Sequence, residues 1–165
     1  MTWQPPTDDD LSRLREQLGR PVRGVHAIAA RCACGAPAVV VTEPRLDDGT
    51  PFPTVYYLSL PSAVRAASRL EATGAMARYQ QRLGEDKEAL ARYAAGHREY
   101  IHTRNTLGVV DEVHNVSAGG MPDRVKCLHA LVAHSLAEGP GRNPVGDWAL
   151  EESAWNLGTC ECDRD

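Results

Sequence analysis

Aromatic residues are scarce in this chain: one Phe, three Trp and five Tyr in 165 residues. A core with so little ring bulk has to be assembled mainly from Ala, Leu and Val, which suits helices packed at close range. No apolar stretch approaches the roughly 20 residues of a membrane span, so contact with a membrane is not expected. Positive charge is short as well. Eighteen Lys and Arg stand against 22 Asp and Glu, giving a net charge of −4 and a pI near 5.9. That balance argues against nucleic acid as a partner, which needs a basic surface. The opening MTWQPPTDDD lacks the basic-then-apolar order of a secretion signal, so a cytoplasmic location is expected. Internal repeats, long low-complexity tracts and the phosphate-loop pattern G-x-x-x-x-G-K-[ST] are missing too.

What is present is a globular composition, 42% apolar and 24% charged, in a length that suits one domain. DDDLSRLREQLG reads as a short helix: Asp residues favour its start, Leu11, Leu14 and Leu18 share a face, and Gly19 then Pro21 stop it. VRGVHAIAAR and PAVVVTEPRL are strand-like runs joined by CACGA, and TVYYLSL follows the Asp48-Gly49 turn as a third strand. Strand alternation puts one of Tyr56 and Tyr57 in the core and the other outside.

Pro61-Ser62 opens a helical region to about Leu83, with Ser62 as N-cap and Gly74 as a possible break. A helix over about 86–104 carries the stripe Leu90, Tyr93, Ala94, His97 and Ile101. The last two helices are expected from Pro122 and over 147–157. The fold class is therefore α+β: a short N-terminal helix, a three-stranded antiparallel meander, then a helical C-terminal half. Residues 1–20 form an acidic segment and helix, 21–150 a single α+β domain, and 151–165 a loose C-terminal segment.

Five cysteines, an odd number without an export signal, do not suggest a disulfide framework. They form two C-x-C pairs, Cys32/Cys34 and Cys160/Cys162, and the singleton Cys127. Cys34-Gly35 can fold around an ion as a short zinc knuckle does. In the stretch SAGGMPDRVKCLHALVAHSL, residues 117–136, Pro122 fits a first helical turn. At about 100° per residue, Val125, Leu128, Val132 and Leu136 face the core, Cys127 and His134 lie along one edge, and His129 flanks the other. Cys127 and His134 are then about 10 Å apart along the axis, and Cys127 and His129 diverge. This helix can donate one metal ligand but not two. Three sulfurs from Cys32, Cys34 and Cys127 leave a fourth position to His97, Cys160 or Cys162, holding zinc by preference or an iron–sulfur cluster.

Other readings compete with the metal. Gly119, Gly120, Arg124 and Lys126 could bind a phosphate or carboxylate at a helix start, or the glycines simply permit a sharp turn. Cys127 could be a reactive thiol, stabilised by Arg124 and Lys126, if His97 or His129 folds beside it. Arg45, and Arg142, Asn143 and Asp147 in GPGRNPVGD, could line a pocket or serve a hairpin and a plain connection.

RCACGAP, PRLDDGTPFPTVYYL, AGHREY, SAGGMPDRVKCLHALVAHSL and GPGRNPVGD, in this order, resemble the bacterial family called domain of unknown function five hundred and one. The likeness runs from about Pro21 to Trp148. It implies a small cytoplasmic bacterial protein and brings no established activity. The matching positions are Cys32, Cys34, Arg45, His97, Ser117, Gly119, Gly120, Arg124, Lys126, Cys127, His129 and His134. Cys160 and Cys162 fall outside, which tilts the fourth ligand toward a histidine, His97 ahead of His134. The expected function is a small metal-binding regulatory or interaction protein with an unidentified protein partner. The alternatives are an enzyme acting on a phosphorylated or carboxylated small molecule, and a ligand-free interaction module.

Overall fold

The computed structural model describes residues 2–164. Helix α1 spans Asp8–Leu18 and is closed at both ends. Thr7 and Asp10 form a reciprocal capping box, and Gly19, at φ 66°, provides the left-handed stop. Strands β1 (Val25–Arg31), β2 (Pro37–Thr42) and β3 (Tyr56–Leu58) make an antiparallel sheet in sequence order. Ile28 opposes Val40, and Val39 opposes Leu58. The meander and the short first helix are thus as the sequence predicts.

Every residue of β2 is buried, because both faces of the sheet are covered. On one side Val40 and Ile28 pack against Leu14 of α1. On the other, Val39, Val41 and Tyr56 enter the main core with the later helices. Tyr56 is buried and Tyr57 half-buried, which is the expected alternation. The N-terminal segment also pairs with the sheet, through mutual Gln4 and Ile28 backbone hydrogen bonds. Asp10 and Arg31 bond twice, at 2.7 and 2.9 Å, tying α1 to the end of β1.

The helical half contains α2 (Pro61–Ala72), α3 (Ala75–Glu85), α4 (Lys87–Leu107), α5 (Leu128–Glu138) and α6 (Pro144–Ser153). Gly74, at φ 79°, separates α2 from α3. Leu60, not Ser62, is the N-cap of α2, and it caps without a side-chain bond. The Ser62 hydroxyl instead accepts the indole N–H of Trp155. On α4 the buried positions are Ala89, Tyr93, Gly96, Tyr100, Thr103 and Arg104, a stripe rotated from the expected one. Leu90 faces solvent. The rotation follows from Arg104, which is fully buried and donates to the Pro53, Val113 and Val116 carbonyls of the loops beside it.

Two expectations fail here. The helix expected from Pro122 begins at Leu128, and residues 121–127 form a turn with a cis Met121–Pro122 peptide. The final segment is not loose. After α6, Trp155 is buried, the Leu157 carbonyl accepts the Ala33 N–H at 2.9 Å, and Cys160 and Cys162 pack on the main core. Apolar burial and one long-range backbone bond hold it, neither of which is visible in a short polar sequence.

Candidate metal centre

The turn between β1 and β2 carries Cys32 and Cys34. Its backbone closes on itself: Cys32 N–H donates to the Ala36 carbonyl, and Gly35 N–H donates to the Cys32 carbonyl. Gly35 sits at φ 88°, a left-handed conformation that a side chain disfavours. This tight loop aims both thiols to one side. The Ala36 amide is the main influence holding the Cys34 thiol down, to about 7. Burial pushes the Cys32 and Cys162 thiols up.

The returning C-terminal segment brings Cys160 and Cys162 to the same place. The Cys162 sulfur lies 3.6 Å from that of Cys34 and 3.9 Å from that of Cys32. All four sulfurs lie within 4.8 Å of one another, and none is in a disulfide. Cys32 is buried, Cys160 and Cys162 half-buried and Cys34 exposed. Four thiols so disposed could hold a metal ion.

Cys127 and His97 are not part of this cluster, contrary to the ligand set read from the sequence. Cys127 is the N-cap of α5, in extended conformation (φ −151°, ψ 109°), and groups with Glu71 and His129. His97 Nδ1 lies 2.7 Å from the hydroxyl of Ser117, joining α4 to the loop before α5. Burial is the main cause holding its pKa down. Cys160 and Cys162, from the C-terminal segment, stand where Cys127 and His97 were expected. Two identical C-x-C spacings were the available signal, and the meeting of residues 128 apart was not.

Most of the remaining candidates are engaged by neighbouring elements of the fold. Gly119 accepts Lys126 and Cys127 amides on its carbonyl, and Gly120 accepts that of Arg124. A Cβ on Gly119 would lie 2.5 Å from Leu131, so the position needs glycine for packing as well as for its φ of 67°. The turn therefore lies ahead of the α5 terminus, whose first amide, Leu128 N–H, donates to Glu71 instead. Arg124 and Lys126 remain beside a surface depression with Asn115 and Asp123. Arg45 donates from Nη2 to both carboxylate oxygens of Glu112 and from Nη1 to the Gly49 carbonyl. Asn143 caps α6 through Gly146 N–H and lies 3.0 Å from His134 Nδ1. Arg142 faces Glu99, and Asp147 accepts the Gly141 amide. His134 is buried between the rings of Tyr56 and Tyr100.

Among the described residues, no helix is long and apolar enough to cross a membrane. The family model for the protein of unknown function DUF501 matches residues 28–151, so the chain belongs to that family. The matched stretch contains Cys32 and Cys34 but ends before Cys160 and Cys162. No curated protein and no solved structure matches the chain.

Proposed function

We propose that this member of the DUF501 family binds one zinc ion through Cys32, Cys34, Cys160 and Cys162, as a regulatory or interaction protein whose metal fastens the β1–β2 turn to the C-terminal segment. The observation that carries the reading is the spacing of the sulfurs. Around a tetrahedral zinc with bonds of about 2.3 Å, ligand sulfurs stand about 3.8 Å apart. The separations of 3.6 and 3.9 Å bracket that distance. An iron–sulfur cluster places iron and sulfide atoms between its thiolates and needs them farther apart, so a single ion is favoured.

Four protein sulfurs leave no open coordination position, which is the arrangement of a structural rather than a catalytic zinc. The Ala36 amide directed at Cys34 stabilises a bound thiolate in the same way that outer-shell hydrogen bonds do elsewhere. The metal would thus set the surface formed by the turn and the tail, and a protein partner reading that surface would depend on it. Elemental analysis of protein purified without added metal tests the reading. About one equivalent of zinc is expected, falling below a tenth of an equivalent in Cys34→Ser. Less than a tenth of an equivalent in the wild type would defeat it.

A further inference from the structure

We infer that a second site, distant in sequence from the cysteine cluster, is chemically active: Cys127 is a nucleophilic thiolate that takes an apolar acyl group from an activated ester or thioester and passes it to water.

The geometry begins at the junction of α2 and α5. Glu71, near the end of α2, accepts the Leu128 N–H at 2.8 Å on one carboxylate oxygen. The same oxygen lies 3.1 Å from His129 Nδ1. Ser68, one turn earlier on α2, places its hydroxyl 3.0 Å from His129 Nε2. The ring is therefore fixed from both sides by a single helix. Cys127 precedes α5 in extended conformation, which redirects its side chain from the path a helix would impose. Its sulfur, a His129 ring nitrogen and a Glu71 oxygen lie within 4.8 Å of one another.

A latch between two helices would need only Glu71 and His129. The thiol beside them opens on a cavity of about 600 Å³, within the range of small-molecule sites. Tyr57, Leu58, Pro61, Val64 and Ala130 give it apolar walls suited to an acyl chain. The directions in which the two groups shift agree with a reactive pair. His129 is the largest influence holding the Cys127 thiol below its usual value, against burial, which raises it. His129 is raised in turn, first by Cys127, against burial, and further by Glu71. Thiolate beside imidazolium is the activated form of a cysteine nucleophile.

In the first step the Cys127 thiolate attacks the carbonyl carbon, forming a C–S bond. Collapse of the tetrahedral adduct breaks the bond to the alkoxide or thiolate leaving group, which takes a proton from the His129 imidazolium. Neutral His129 then removes a proton from water as the oxygen attacks the acyl carbon. The thiolate departs, and the acid and the protonated leaving group are the products. Glu71 positions the ring and does not touch the substrate.

The test uses the full chain with p-nitrophenyl acetate and p-nitrophenyl octanoate. A burst of about one equivalent of p-nitrophenolate is expected, faster with octanoate, with the acyl mass on the peptide containing Cys127. Cys127→Ala should abolish both. His129→Gln should slow acylation about a hundredfold while leaving the far-UV spectrum and the labelling of exposed Cys34 unchanged. Should Cys127→Ala fail to fold, iodoacetamide labelling at Cys127 replaces it as the measure: the rate should fall at least tenfold in His129→Gln and several-fold in Glu71→Gln. Acyl transfer to Cys34 in preference to Cys127, no adduct at all, or undiminished reactivity in His129→Gln would overturn the inference. So would a metal equivalent bound by Glu71, Cys127 and His129 in place of a free thiolate.

Discussion

The sulfur of Cys34 lies 3.6 Å from that of Cys162, across 128 residues of chain. A single ion between them would make the C-terminal segment part of the fold's closure. Removing residues 158–165 should therefore reduce bound zinc below a tenth of an equivalent, whereas Cys127→Ser should retain about one. Metal loss worth even ~3 kcal/mol would lower Tm by about 10 °C in a chain of this size. Plasma emission analysis and thermal unfolding with and without EDTA measure both.

His134 is 1% exposed, and burial pushes its pKa down to about 4. Asn143 Nδ2–H faces its Nδ1, which suits a neutral ring. Above an unfolded value of about 6.5 neither state binds the proton, so no penalty arises. Below it the unfolded chain takes up a proton that the folded chain refuses. Stability should fall between pH 6.5 and about 4, by about 3 kcal/mol in all. Denaturant titrations across that interval should show a slope in the wild type that His134→Gln largely removes.

Asp10 responds at lower pH and through the opposite charge. The Arg31 guanidinium is the main cause holding its carboxyl far below the ordinary carboxylate range. A depressed acid contributes stability that is complete above its unfolded value, about 3.9, and lost as the pH falls through the folded one. Asp10→Asn should destabilise the protein by about 3 kcal/mol at pH 7, because Arg31 loses its charge partner and the capping box is weakened. The variant's stability should also be flatter than that of wild type below pH 4. Urea midpoints at pH 7 and pH 3 give both comparisons.

At Gly146, α6 packs directly on the backbone of α5. A Cβ there would lie 2.9 Å from the Leu131 carbonyl carbon and would also overlap the Ser135 hydroxyl oxygen. Neither helix backbone can yield as a flexible side chain would, so Gly146→Ala should cost about 3 kcal/mol. Gly84, inside α3, meets nothing within 4 Å. Gly84→Ala should instead stabilise by about 0.5 kcal/mol. Opposite shifts in the denaturation midpoint of the two variants check the pair.

Local signals in the sequence suffice where local physics decides. The capped α1, the three strands and the alternation of Tyr56 and Tyr57 depend on turn residues and short periodicities, and all three stand in the structure. Pro122 misled because a proline suits both a helix start and a turn, and only tertiary packing distinguishes them. The buried face of α4 was missed because hydrophobicity cannot mark Gly96 or Arg104, one required by a close backbone and the other satisfied by carbonyls. At the candidate metal centre the knuckle at Cys32 and Cys34 was legible. Its complement was not, since no local pattern encodes where Trp155 docks. The displacement of Cys127 from the helix also hid its meeting with His129.

Trp155 is seated in the core with its indole N–H on Ser62, and the Leu157 carbonyl is bonded to Ala33, both upstream of the two last thiols. The long ring of chain that an arriving ion would otherwise have to close, at an entropic penalty growing with the logarithm of its length, is already closed by apolar burial. Ion capture then resembles uptake by a preorganised chelator, with little chain left to order, and the affinity of the four sulfurs should be governed by the few residues between Leu157 and Cys162.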